Sequence, residues 1–349
     1  MKKILLSSII ILSMAMGFVA CKKELQPTTI GSFNYELPAN APRYDINASE
    51  QQNWLTHTGR MLFYDKQLSA ANTVACASCH KQEFGFADNS KFSTGVRGIQ
   101  TPRNSPAIVR SFGGLFWDAR ANSLEDLSTQ PVMNHLEMGI EDFSEVLNKV
   151  SHTKVYEKAF GNAGINTINE ESIQKALAAF MRTMSQDNVQ KIWNNIKHLT
   201  GKEQRGKEIF DKNCGACHSG QHFDSDWGFG RIGARKNIGL DYTYADKGIG
   251  DLTKEPSQDG FFRVPSLLNI RYTAPYMHDG RFNTLEEVVE HYNSGIKNHK
   301  NLSWELKSGN AALRMNMSDY EKEALVSFLK SIKNPEIKSH QNYSNPFSS

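Results

Sequence analysis

Cysteine and histidine fall together twice in this chain, as Cys76-Ala77-Ser78-Cys79-His80 and as Cys214-Gly215-Ala216-Cys217-His218, 138 positions apart. In such a pentapeptide the two thiols can add to the vinyl groups of a haem while the adjacent imidazole reaches the iron. A single copy could instead hold zinc. Two copies consume four of the five cysteines, leaving Cys21 alone and nothing for a disulfide. The spacing therefore predicts two covalent c-type haems, with His80 and His218 as the proximal ligands.

The group on the far side of each iron is a separate question. In Thr284–Tyr292, the residues Leu285, Val288, Val289 and Tyr292 recur at helical spacing and form one apolar stripe. At about 100° per residue, His291 should then point away from Tyr292, among the glutamates. Tyr292 is the core-facing candidate, although on composition alone it reads more simply as a buried aromatic. His291, Met277, Met315 and Met317 compete with it, and the methionines read as packing residues.

Helices must position these groups. Cap-and-acid pairs at Asn47/Glu50, Thr167/Glu170, Thr200/Glu203, Thr284/Glu287 and Ser318/Glu321 mark helix starts. They predict a helix running toward Phe63, and others over Ser172–Met184, Glu203–Phe210, Leu285–Tyr292 and Tyr320–Ile332. No sustained alternation appears, so strands are expected only as short pairs. The expected fold is all-α, with long loops around two haem-bearing domains, residues 46–190 and 191–335. The polar stretch Asn188–His198 should separate them. Each motif follows a helix that ends in an aromatic, at Phe63-Tyr64 or at Phe210, which makes a weak internal repeat. The irregular segments Lys81–Ser111 and Ser219–Arg263 should wrap the cofactors.

The ends of the chain read differently. Lys2-Lys3, an apolar run from Ile4 to Val19, and Phe18-Val19-Ala20-Cys21 resemble an export signal over residues 1–20. A cysteine directly after the small residue is the pattern of a bacterial lipoprotein, in which Cys21 carries the lipid. The plainer alternative is an ordinary cleavage site with an incidental cysteine. Lipidation would leave an exported, periplasmic body anchored to a membrane, through a polar tether over residues 21–45. Residues 336–349 read as a tail. The composition, 39% hydrophobic and 22% charged, suits a globular chain of about two domains. Without Lys2 and Lys3, 38 basic residues face 37 acidic ones. Near-neutrality argues against a nucleic-acid partner.

From about Gly59 to Leu329 the residues resemble the bacterial di-haem cytochrome c peroxidases and their relative MauG. The matching blocks are Leu62-Phe63-Tyr64-Asp65, Thr101-Pro102-Arg103-Asn104-Ser105-Pro106, Phe116-Trp117-Asp118-Ala119-Arg120, Glu137-Met138, Leu268-Asn269-Ile270-Arg271 and Thr273-Ala274-Pro275-Tyr276-Met277-His278-Asp279-Gly280.

The resemblance implies two cytochrome c-like domains with unequal haems: an N-terminal peroxidatic one and a C-terminal one for electron entry. It implies that Glu137 is the distal carboxylate that shuttles a proton during peroxide cleavage, and that Trp117 lies between the haems. It implies a calcium ion held by Asn104 with backbone oxygens of Thr273 and Pro275, and places His278 near the second haem. Family members are often homodimers.

Three positions depart from the family pattern. Val96 stands where many of these peroxidases carry a histidine that closes the peroxidatic haem at rest. Tyr292 replaces a methionine ligand, as in MauG, and a phenolate favours iron(III). Leu127 replaces a glutamine ten positions before Glu137.

The leading expectation is an exported peroxidase that reduces hydrogen peroxide to water with electrons from a small cytochrome c or cupredoxin. The alternative is a MauG-like enzyme that oxidises a protein side chain through a high-valent di-haem state. The non-enzymatic alternative is a two-haem carrier or sensor.

Overall fold

The computed structural model describes residues 35–108, 112–224 and 234–347. The export-signal stretch and Cys21 lie outside the described residues. Ser49 opens the first helix, α1 (Glu50–Tyr64), by accepting from the Gln52 amide while the Gln52 side chain accepts from the amide of Ser49. This cap stands two residues beyond the expected Asn47, whose amide is instead tied to Asp45 in a side-chain turn. The single turn α2 (Cys76–Cys79) carries the first motif. Then follow α3 (Leu124–Met133), α4 (Phe143–Ser151), α5 (Lys154–Asn162) and α6 (Glu170–Ile196). The second half contains α7 (Gly201–Asn213), α8 (Ile249–Thr253), α9 (Leu285–Glu290) and α10 (Asp319–Ser331). The capping boxes at Thr200/Glu203, Thr284/Glu287 and Ser318/Glu321 form as expected. That of α6 is Asn169/Ser172 rather than Thr167/Glu170.

Strands among the described residues are three short antiparallel pairs. They join β1 (Phe112–Leu115) to β2 (Ala121–Ser123), β3 (Arg235–Lys236) to β4 (Phe262–Arg263), and β5 (Lys307–Ser308) to β6 (Ala311–Ala312).

Two large hydrophobic cores result among the described residues, with smaller clusters around Ile296 and Leu240. The first gathers Met61, Phe63, Phe86, Leu124, Tyr156, Phe160 and Phe180, and the second Ile209, Phe210, Leu268, Leu285, Val289 and Phe328. Each is built on one helix crossing, α1 on α6 and α7 on α10. The crossings are made alike. A Cβ added to Gly59 would fall 1.8 Å from the Ala176 carbonyl oxygen, and one added to Gly206 would fall 2.0 Å from that of Ala324. Glycine is required where backbones approach this closely. In both halves it stands four residues before the aromatic that ends the pattern, Phe63 or Phe210.

Helix α6 corrects one expectation. It does not stop at Met184 but runs on to Ile196, through the stretch expected to separate the halves. Val189, Ile192, Trp193 and Ile196 form an apolar stripe inside that polar sequence and pack into the second core. Asn188, fully buried between the cores, accepts from the side chains of Asn269 (2.7 Å) and Asn334 (3.2 Å).

Described residues of the expected tether and tail are also docked. Ile337 and Tyr343, in the expected tail, are buried in the first core, and the Tyr64 hydroxyl donates to the Tyr343 carbonyl at 2.5 Å. From the expected tether, the hydroxyls of Tyr35 and Tyr44 lie 3.1 and 2.9 Å from the two ring nitrogens of buried His57 on α1.

Candidate functional site: two cavities and the wall between them

Each Cys-x-x-Cys-His motif opens on its own cavity. The N-terminal one, about 70 Å³, is lined by Cys76, Cys79, His80, Leu127, Glu137 and Met181 among others. The C-terminal one, about 210 Å³, includes Cys214, Cys217, His218, His278, Tyr292 and Met315. None of these four cysteines is in a disulfide.

The histidines are oriented identically. His80 Nδ1 lies 3.0 Å from the Phe86 carbonyl oxygen, and His218 Nδ1 lies 2.8 Å from that of Phe223. Burial lowers the pKa of both rings, which favours the neutral form. A neutral imidazole that donates from Nδ1 keeps a lone pair on Nε2 for a metal. Phe86 and Phe223 adopt the left-handed conformation, with φ of 63° and 53°, so that their carbonyls turn back toward the motif. Both sites therefore fit a covalently attached haem: two thiols and an imidazole oriented through its Nδ1, bordering a largely apolar cavity. These two acceptors were missed in the sequence because backbone carbonyls leave no residue-type signal.

Glu137 reaches the N-terminal cavity from the turn after α3. Asn134, the C-cap of that helix, donates to its Oε1 at 2.8 Å. Burial raises the Glu137 pKa, while the charge of Arg120 and the Asn134 hydrogen bond pull the other way. Arg120 is held over the Phe116 ring, 3.5 Å from its centroid, and paired with Asp118 at 3.0 Å. Val96 is buried behind this turn, and its amide donates to the Glu137 carbonyl at 2.7 Å. Its loop packs so tightly that a Cβ on Gly95 would meet the Leu136 carbonyl oxygen at 2.0 Å. Leu127 does line this cavity, where it offers no hydrogen bond.

The segment Thr101–Ile108 is the wall between the cavities. Thr101, Ser105 and Ile108 face the N-terminal one, whereas Asn104, Pro106 and Ala107 face the C-terminal one. Trp117 lies against this wall on the C-terminal side and donates from Nε1 to the Asn104 carbonyl at 2.8 Å. Arg103 locks the wall in place, reaching Asp246 with two bonds of 2.7 and 2.8 Å and Asp118 with one of 2.5 Å. Asn104, Thr273 and Pro275 all border the C-terminal cavity, and the Asn104 amide donates to the His278 carbonyl at 2.7 Å. His278 is buried and stacked on Phe262, with centroids 3.9 Å apart.

Tyr292 lines the cavity of His218, and burial pushes its phenol well above its ordinary pKa. The expectation for His291 is corrected: it is buried rather than among the glutamates, with Nε2 3.0 Å from the Ile238 carbonyl oxygen. The cause is tertiary packing. The α9 helix widens into a π-turn over His291–Gly295, and the Ile238 segment covers the face on which His291 stands. Of the competing methionines, Met277 and Met315 border the cavity, while Met317 packs against the second core.

The family profile described as di-haem cytochrome c peroxidase matches residues 55–196. The chain is 30% identical over 292 residues to the methylamine utilization protein MauG of Methylophilus methylotrophus, covering 78% of this chain and 81% of that one. The chain belongs to the di-haem cytochrome c peroxidase family. This family member is also 29% identical to the cytochrome c551 peroxidase of Pseudomonas aeruginosa, over 81% of this chain and 79% of the relative. Its fold matches the crystal structure of a MauG-like protein associated with microbial copper homeostasis, with a TM-score of 0.75 and 31% identity, over 89% of this chain and 97% of that one. No helix among the described residues is long and apolar enough to cross a membrane.

Proposed function

We propose that this protein is an exported di-haem peroxidase that reduces hydrogen peroxide to water with electrons from a small redox protein. One observation carries the reading: Glu137 faces the same cavity as Cys76, Cys79 and His80. A haem bound there supplies the iron at which the oxygen–oxygen bond of peroxide is cleaved. The chain supplies proton handling. Glu137, whose pKa burial raises, takes a proton from one peroxide oxygen and returns it to the other. Asn134 fixes the carboxylate that does so. Leu127, Met138 and Met181 keep the cavity apolar around it.

The two halves are read as cytochrome c-like domains over residues 46–190 and 191–335, with cysteine pairs 76/79 and 214/217 attaching the haems. Their shared glycine crossing and shared histidine–carbonyl bond support this. Val96 is buried and packed away from the cavity, so the side chain at this position would not close a haem iron bound there. Tyr292 would ligate the iron of a haem held by His218, and Trp117 would relay electrons across the wall. Asn104 with the Thr273 and Pro275 carbonyls would hold a calcium ion. Residues 1–20 direct export, and lipid on Cys21 anchors the periplasmic body.

The test is steady-state peroxide consumption by the holoprotein with a reduced cytochrome c. Turnover that falls at least a hundredfold in Glu137→Gln supports the assignment; unchanged turnover removes it.

Tyr292 favours a second reading, oxidation of a protein side chain in the manner of the MauG relatives. Under it, peroxide is consumed only stoichiometrically with a carrier, and catalytically once a protein substrate is supplied.

A further inference from the structure

Electrons must reach the C-terminal cavity from outside, and one part of its wall is thin. Glu305 and Leu306 line the cavity, and the residue before them, Trp304, is 77% exposed on the same short 3-10 turn, Trp304–Leu306. Leu240 repeats the pattern on a second segment. It lines the cavity, and Tyr242, two residues on, is 70% exposed.

The charge on the segment that carries Trp304 is predominantly positive, although Glu255 stands next to Pro256, whose carbonyl accepts from the Asn301 side chain at 2.7 Å. Residues 296–314 contain Lys297, Lys300, Lys307 and Arg314, and only one acid, Glu305, which is taken up by Lys236. The Leu313 amide donates to the Leu306 carbonyl at 2.8 Å, so the β5–β6 hairpin returns Arg314 beside the Trp304 turn. Lys297 stands over the Tyr242 ring, 5.8 Å from its centroid. On the neighbouring segments Asp241, Asp246 and Asp259 are each paired, with Arg281, Arg103 and Lys247. Among the described residues none of the four cations around Trp304 forms an ion pair. An otherwise near-neutral protein thus carries several cations without ion-pair partners on the segment of an exposed Trp that borders the cavity of His218, and Arg314 is held there by donating to the Ile296 carbonyl at 2.9 Å.

We propose that Trp304, with Lys297, Lys300, Lys307 and Arg314 of the same segment, is the docking surface for an acidic one-electron carrier protein that delivers electrons to the C-terminal haem. An exposed Trp flanked by cations has the make-up of an interface anchor with steering charges. At each encounter the carrier is oxidised by one electron and the haem is reduced by one. Two such electrons and two protons convert one hydrogen peroxide to two waters. A carrier with a basic face would be repelled. This inference rests on the peroxidase reading for its purpose, but its test does not use peroxide.

The test uses the holoprotein under anaerobic conditions, with reduced plant-type ferredoxin as the acidic carrier and photoreduced deazariboflavin as a small neutral reductant. Trp304→Ala should slow haem reduction by ferredoxin about tenfold, and Lys300→Glu/Lys307→Glu by at least about tenfold. The parent rate should fall as ionic strength rises, more steeply than that of the charge-reversed variant. Isothermal titration with oxidised ferredoxin should show about a tenfold rise in Kd for both variants. Reduction by deazariboflavin should not change. Unchanged ferredoxin rates and Kd, or equal slowing with both reductants, overturns the proposal. So does loss of binding to phosphatidylglycerol vesicles with ferredoxin kinetics intact, which would make this face a membrane contact. A protein that fails to turn over peroxide yet passes this test refutes the peroxidase reading alone.

Discussion

Asn134 Nδ2 donates to Glu137 Oε1 at 2.8 Å, across the turn that ends α3 and opens on the N-terminal cavity. The bond stabilises the ionised carboxylate against a burial that disfavours it. Removing the donor should therefore raise the Glu137 pKa further. Asn134→Leu should move the acidic limb of the kcat/KM profile for peroxide to higher pH by about one unit, a typical effect of one charge-assisted hydrogen bond. A profile that keeps its acidic limb would separate that limb from Glu137.

Tyr292 should be visible spectroscopically. In Tyr292→Phe the low-spin ferric signal of the C-terminal haem should change, and the N-terminal high-spin signal should not. Electron paramagnetic resonance of the resting protein reads both at once. Low-spin spectra identical to those of the parent would remove the phenol from the iron.

The two glycine crossings should fail alike. Gly59→Ala drives a methyl into the Ala176 carbonyl and Gly206→Ala one into that of Ala324, backbone atoms that cannot turn aside. Each should cost about 2 kcal/mol, the usual scale of overpacking. Urea midpoints of the holoprotein check this. A midpoint within error of the parent would mean that the helices part freely.

His57 gives the fold an acid limit. Burial holds its pKa down to about 4, and both ring nitrogens are engaged by Tyr35 and Tyr44. The folded pKa lies below the unfolded one near 6.5, so this stability is complete above pH 6.5. It is lost as pH falls toward 4, with a span of about 3 kcal/mol. His57→Gln should flatten unfolding free energy across that window. A slope equal to the parent's would place the acid sensitivity elsewhere.

Much of the site was legible because its chemistry is written in contiguous residues. A Cys-x-x-Cys-His motif needs only a turn of helix to bring its three groups together, and capping boxes such as Thr200/Glu203 close over three residues. Tyr292 was also readable, since the stripe from Leu285 keeps its phase that far. His291, one residue earlier, was not, because the π-turn that buries it comes from packing rather than from a local pattern. Residues 188–198 misled for a related reason. Their polar composition outweighed the stripe of Val189, Ile192, Trp193 and Ile196, whose burial partners come from the distant second core.

The sequence by itself determined that two Cys-x-x-Cys-His motifs exist and that helices begin at Thr200, Thr284 and Ser318, because these rest on bonds that span a few residues. Only the tertiary structure shows which groups line the cavity of each motif. Glu137 lies 57 positions from His80 and Tyr292 lies 74 from His218, and packing alone brings each to its cavity. The wall from Thr101 to Ile108 likewise turns neighbouring residues to opposite cavities. Spacing along the chain holds no record of such convergence, since it is the helix crossings at Gly59 and Gly206 that set the distances.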